Sequence, residues 1–175
     1  MENLFDESKY KNNPFKPTFD KKYFPIVYVT FKKGIDNDSF DYFIHSWLEC
    51  YKYKKDFTFI FNLEEITWFN PSYCYRLAKF MKYLRSHPEQ FSYLKTSIVV
   101  LTNSFIRKMV KLVFSIQSPQ SHVYLAPDLI HANGIVRGNK DFIDNCDSIL
   151  PDTKVSLTGE EHQDIKKLNQ EQSKK

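Results

Sequence analysis

The sequence predicts an α/β domain: a mostly parallel sheet of four to five strands in a right-handed β-α-β-α-β-α-β superhelix. Three observations carry that expectation. Short apolar runs at 26–31, 57–61 and 97–101 have the length and the continuous character of strands buried on both faces. Between them lie segments whose apolar residues recur at helical spacing. Asn, Pro, Gly and Ser punctuate the joins. Strands that alternate with helices pair in parallel, and right-handed crossovers set the hand of the winding.

Residues 1–24 show no periodicity, and Pro14 and Pro17 interrupt any helix, so this stretch reads as an extended N-terminal arm. Its Phe15, Phe19, Tyr23 and Phe24 imply that it lies against apolar surface. Residues 25–137 form the α/β domain. The first strand is 26–31. Residues 34–38 make a turn with capping acids, and Phe40, Phe43, Ile44, Trp47, Leu48 and Tyr51 follow on one helical face, the strongest amphipathic pattern in the chain. In the second strand Phe57, Phe59 and Phe61 alternate with Thr58 and Ile60, and Asn62 ends it. After a second apolar step at 66–69, Asn70 can cap a helix with Pro71 at its first position, where a missing N–H costs nothing. Tyr73, Leu77, Phe80, Met81 and Leu84 line that helix, which stops near Ser86 because Pro88 biases His87 out of the helical region.

The third strand is 97–101. Asn103 or Ser104 caps a third helix with Phe105, Ile106, Met109, Val110, Val113 and Ile116 inward, and Pro119 closes it. Residues 122–125 make a short fourth strand, and Pro127 and Asp128 open a last helix through Ala132. Residues 138–175 read as a polar C-terminal extension. There, Thr158 and Glu161 resemble a capping box before a polar helix holding only Ile165 and Leu168, so a frayed tail is expected, or one that binds a partner. Helices wound by same-handed crossovers fall on one side of the sheet, yet the strands are apolar on both faces. The second face therefore needs a cover: the arm, the C-terminal segment or another chain, with the arm from Pro14 to Phe24 the favoured one.

With 175 residues, of which 17% are aromatic, the chain can bury a large core, which excludes disorder throughout. Cys50, Cys74 and Cys146 are odd in number and far apart, so neither a disulfide framework nor a zinc site is indicated and a reducing compartment such as the cytoplasm is expected. Residues 1–11 are polar and carry acids, unlike a signal or transit peptide, and no apolar run approaches the ~20 residues that span a bilayer. A soluble protein without a transmembrane segment is expected. Between residues 73 and 112 eight basic side chains face the single acid Glu89. Lys and Arg opposite Leu77, Met81, Met109 and Val113 read first as solvated helix faces, and second as an electropositive surface for an acidic protein, nucleic acid or anionic lipid. The nearby aromatics read as part of the apolar faces, which leaves no stacking platform for single strands.

None of the five histidines pairs with another at one or two helical steps; His45 reads as a partly buried packing residue. Asp36, Asp38 and Asp41 look like part of a calcium loop, but the Gly and closing Glu are missing and helix capping accounts for them. There is no Gly-rich phosphate loop, no G-x-S-x-G elbow and no Cys/His constellation. The expectation is a non-enzymatic protein with no catalytic, cofactor-binding or metal residues.

The register of residues 57–81 resembles the STAS family, the sulphate transporter and anti-sigma-factor antagonist domains. In that pattern a hydrophobic strand ends in Asp, and a second apolar run leads to Asp-Ser-Ser-Gly at the start of a helix. Here Asn62 stands at the strand's Asp, Asn70 at the second Asp, Pro71 at the first Ser, Ser72 at the phosphorylatable Ser and Tyr73 at the Gly. The resemblance implies a STAS-like, regulatory protein–protein interaction module with a kinase or phosphatase as partner. Ser72 is then a candidate phosphosite, in a first helical turn where a phosphate would meet free N–H groups. The candidate interaction surface is Glu64, Glu65, Trp68, Asn70, Ser72, Tyr73, Arg76 and Lys79. The runner-up is a scaffold role: an accessory subunit of a large assembly, clamped to neighbours by the arm and tail. Binding of anionic lipid or nucleic acid through the second and third helices comes third.

Overall fold

Phe57, Phe59 and Phe61 lie on one side of a strand at the centre of the sheet, and the rest of the layer order follows from where they point. A computed structural model describes residues 5–172. After a 3-10 turn at Glu7–Tyr10, the elements are β1 (Thr18–Asp20), β2 (Ile26–Thr30), α1 (Asn37–Tyr51), β3 (Phe57–Asn62), α2 (Ser72–Arg85) and α3 (Pro88–Phe91). They continue with β4 (Leu94–Val100), α4 (Ser104–Ile116), β5 (His122–Ala126), α5 (Leu129–Val136), α6 (Lys140–Asp144), β6 (Asp147–Ile149) and α7 (Gly159–Gln172). The six strands lie side by side in chain order. β2 to β5 are parallel, and β1 and β6 close the two edges antiparallel. The sheet thus has six strands where four to five were expected. The extra pair, Thr-Phe-Asp and Asp-Ser-Ile, are three residues each, too short to show an alternation.

One face of the sheet carries Val27, Val29, Phe57, Phe59, Phe61, Val99, Val123 and Leu125, packed against α1, α2 and α4. Trp47 stands at the centre of this layer, 6% exposed. Its ring centroid lies 5.2 Å from Phe59, 5.4 Å from Phe61, 5.5 Å from Phe43 and 5.4 Å from Phe80, and its Nε1–H donates to Tyr51 Oη at 3.2 Å. α1 begins with a capping box in which Asp36 accepts from the Ser39 N–H at 2.7 Å. That is the capping role read for the acid cluster.

The opposite face carries Ile60, Ile98, Val100 and Ala126, and these pack on Ala132 and Ile135 of α5. Gly134 leaves no room for a Cβ because the Phe142 ring of α6 lies directly on it. Tyr28 reaches the same helix, its hydroxyl donating to Asn133 Oδ1. The cover for the second face is therefore α5 with α6, and the expectation that the arm provides it is corrected. The arm lies on the helix side instead. β1 pairs with β2 and puts Phe19 against Phe43 and Phe59, while Tyr10 is buried beside Phe5 and Tyr42. His45, expected partly buried, is exposed and stacks on Phe5 with centroids 4.5 Å apart.

The frayed tail expected at the C-terminus is also corrected. Thr158 and Glu161 form their capping box, with the Glu161 N–H donating to Thr158 Oγ1 at 3.2 Å and the Thr158 N–H to Glu161 Oε2 at 2.9 Å. α7 then docks on α2 and α4, burying Ile165 among Cys74, Ala78, Met109 and Leu112 with Leu157 and Leu168 alongside. Lys111 Nζ meets Glu161 at 2.9 Å and Lys108 Nζ meets Asp164 at 2.5 Å. Two apolar anchors, one turn apart, are enough to seat a helix whose other faces are polar. None of the described helices is long and apolar enough to cross a membrane.

Trp47→Ala should cost about 3–5 kcal/mol, because the void left among four aromatic rings cannot collapse. Trp68→Ala, at an exposed site, should change stability by less than about 0.5 kcal/mol, both read from urea denaturation. A second expectation concerns His122, whose Nε2 is buried without a hydrogen-bond partner and whose ring stacks on Tyr124 at 4.2 Å. Burial pushes its pKa below the usual 6.5, so the unfolded chain binds a proton that the folded chain resists. Stability should be full above pH 6.5 and fall as pH drops from there through the depressed folded value. His122→Phe should flatten the melting temperature between pH 7 and pH 5 relative to the wild type.

Candidate functional site

β3 stops at Asn62, whose Oδ1 accepts the Glu64 N–H at 3.0 Å and turns the chain off the sheet. Ile66, fully buried, pins the connector back onto the core. Glu64, Glu65, Thr67 and Trp68 are left on the outside. The chain re-enters at Phe69, whose ring packs 6.2 Å from Phe105, while Asn103 Nδ2 donates to the Thr67 carbonyl at 3.4 Å. At the start of α2, Asn70 Oδ1 accepts the Ser72 N–H at 2.8 Å, Asn70 O accepts the Tyr73 N–H at 3.1 Å, and Pro71 has helical backbone angles. This is the cap expected from Asn-Pro-Ser.

The eight residues of the candidate surface separate into two groups. Glu64, Glu65, Trp68, Ser72, Arg76 and Lys79 are exposed, Trp68 at 48%, whereas Asn70 and Tyr73 are half-buried. Tyr73 Oη donates to Asn37 Oδ1 at 3.2 Å, and Arg76 donates to Asn37 Oδ1 at 3.1 Å and to Asp41 Oδ1 at 2.9 Å. The Arg76 guanidinium also lies 4.4 Å from the Phe40 ring centroid. Tyr73 and Arg76 therefore fasten α2 to α1, with Arg76 still exposed while it is held there.

Two aromatics that the sequence reading placed on apolar faces stand among the basic residues instead. Tyr75 and Tyr83 are 47% and 48% exposed and share the outer face of α2 with Lys79 and Lys82. The signal was there: both lie off the 73-77-81-84 stripe. The basic surface expected over two helices is reduced to this one. On α4, Lys108 and Lys111 are paired with α7, and Arg107 with Asp147 at 3.3 Å. Lys79 and Lys82 form no ion pair among the described residues, while Arg85 is held by Asp152 and donates to Ser118 Oγ at 3.2 Å. The Ser72 hydroxyl is exposed and makes no hydrogen bond among the described residues. The free N–H groups expected around it are taken, since Pro71 has none and those of Ser72, Tyr73 and Cys74 donate to Asn70 Oδ1, Asn70 O and Pro71 O. A phosphate there would gain the helix dipole alone.

Beneath α2 lies a chamber of about 140 Å3. Phe61, Ser97, Val99 and Val123 form its floor on the sheet, Leu77 and Met81 its roof on α2, and Trp47 and Met109 its flanks on α1 and α4. No Lys, Arg, His, Asp or Glu lines it. The Trp47 N–H and the Tyr51 and Tyr73 hydroxyls of its wall are hydrogen-bonded, whereas the side chains of Ser97, 6% exposed, Ser121, 8% exposed, and Gln120 make no hydrogen bond among the described residues. Cys74 also lines the chamber, but burial pushes its thiol up to about 12, and that of Cys50 up to about 11, so neither supplies a thiolate near neutral pH. Among the described residues no group of three or more His, Cys, Asp or Glu could hold a metal ion. No family model, no curated protein and no solved structure matches the chain.

Ser72→Asp should leave the fold intact, within about 0.5 kcal/mol in urea denaturation, because the side chain is exposed and an acid in a first helical turn is well placed. A large drop in the melting temperature would mean that Ser72 is packed, and would end its candidacy as a phosphosite.

Proposed function

We propose that the chain is a non-enzymatic binding module on a STAS-like fold, and that it docks a protein through the connector and the outer face of α2. The observation that carries the reading is the row of exposed aromatics Trp68, Tyr75 and Tyr83, interleaved with the unpaired Lys79 and Lys82. Large amphipathic rings are the side chains that anchor interfaces, and flanking cations select an acidic counterpart. Nucleic acid would use the same row for stacking, but Glu64 and Glu65 stand on the connector beside Trp68 and would repel a phosphate backbone. The partner is therefore a protein surface with acids facing Lys79 and Lys82 and cations facing Glu64 and Glu65, with regulation as the role the family resemblance suggests. The accessory-subunit reading loses its main support, because Phe19, Tyr10 and Phe24 of the arm are packed within this chain rather than free to clamp a neighbour.

The full-length protein should be recovered from its native source with a stoichiometric protein partner released by moderate salt. Trp68→Ala should weaken that complex by about 2 kcal/mol, some thirtyfold, while melting as the wild type does. Lys79→Glu should slow its association. A variant carrying both changes that still holds the partner at wild-type affinity would place the interface elsewhere.

A further inference from the structure

We infer that the chamber beneath α2 is a binding site for a small uncharged amphiphile, a short-chain or single-ring alcohol, whose hydroxyl meets Ser97, Gln120 and Ser121. Three observations carry this independently of the docking face. The first is size: about 140 Å3 is the scale of an apolar cavity that stays dry and accepts benzene. Protein interiors are otherwise packed to crystal density, so a space of this size between the sheet and α2 is room enough for a small ligand.

The second is the wall. With no ionisable Lys, Arg, His, Asp or Glu on it, a charged ligand would be buried without a counter-ion, so a carboxylate or amine is excluded. The third is the clustering of the polar groups at one end. Ser97 pairs with Val123 across β4 and β5, and Ser121 stands in the bend that leads into β5 two residues before Val123, with both serines on the chamber wall. Gln120 adjoins Ser121. All three side chains lack a hydrogen-bond partner among the described residues, and both serines are more than nine-tenths buried. A ligand with a hydroxyl at one end and hydrocarbon at the other supplies what this wall is missing at each point.

The test uses the full-length protein with Trp68→Phe as background, so that emission comes from Trp47 on the chamber wall. 1-Hexanol, benzyl alcohol, toluene and hexanoate are titrated in the low millimolar range, reading Trp47 emission and melting temperature. The two alcohols should give saturable signals and raise the melting temperature, and hexanoate should bind at least about tenfold more weakly. Ser97→Ala should cut the preference for 1-hexanol over toluene by about tenfold, the equivalent of one net hydrogen bond. Val113→Phe and Leu77→Phe, which fill the space from two sides, should each abolish binding in whichever variant folds. No saturable signal from either alcohol with the unfilled protein overturns the site. Binding that survives both filling changes places the ligand elsewhere, and equal affinity for hexanoate and 1-hexanol overturns the uncharged polar end.

Discussion

The row Val27–Phe59–Ser97–Val123–Ile149, running across five strands in register, is the constraint on which the rest depends. Phe59 is the largest side chain in it and meets Trp47 edge to face at 5.2 Å, so α1 is held off the sheet by the two rings. The neighbouring position, on β4, is a serine. A helix layer propped by Phe on one strand cannot descend onto Ser on the next without breaking the contacts of Trp47, and rigid rings do not deform to fill the difference. Ser97 lies on the floor of the chamber, with Phe61, Val99 and Val123 around it.

Charge is distributed by the same logic of what is already taken. α4 presents Arg107, Lys108 and Lys111, which in sequence look equivalent to the basic residues of α2. The acids of β6 and α7 meet all three, so that half of the basic surface serves intrachain cohesion. Such partly exposed pairs are weak singly, at about 0–1 kcal/mol. They set the register of α7 while Ile165 provides the burial. On α2, Arg76 and Arg85 are committed to Asp41 and Asp152, and the two lysines are left. Available positive charge is therefore a property of one helix face rather than of the composition.

The long elements were legible in the sequence because each is decided by local pattern. The α1 stripe, the Phe alternation of β3 and the Asn70-Pro71 cap are short-range signals with a single good solution. The missing parts are those that a long-range partner decides. β1 and β6 are strands only because β2 and β5 offer them an edge, and three residues carry no period. The polar helix α7 looked too poor in apolar residues to dock, since the groove that receives Ile165 is formed by α2 and α4, fifty and more residues earlier in the chain. The misplacing of Tyr75 and Tyr83 was different in kind. Treating aromatics as apolar by type overrode the helical position, which put both on the outside. The chamber had no sequence signal at all, because its wall is assembled from residues of three helices, the sheet and the loops between them.

α2 belongs to both features, and its fastening bears on how they relate. Leu77, Met81 and Leu84 of α2 line the chamber, while Tyr75, Lys79, Lys82 and Tyr83 face outward on the same four turns. The helix is tied to α1 through Tyr73 and Arg76 near its start, where Cys74 also lies against Met109 of α4, and to residues 118 and 152 through Arg85 near its end. An α-helix held at both ends keeps its inner and outer side chains in one fixed relation, so the chamber wall and the outer face are positioned by the same contacts. Trp68 shares in this less directly: Ile66 anchors its connector to the core, but Asn70 ties the connector's end to the first turn of α2. The same ties that fix Leu77 and Met81 over the chamber therefore fix Tyr75 and Tyr83 on the outer face, and the connector's anchor at Ile66 places Trp68 beside them.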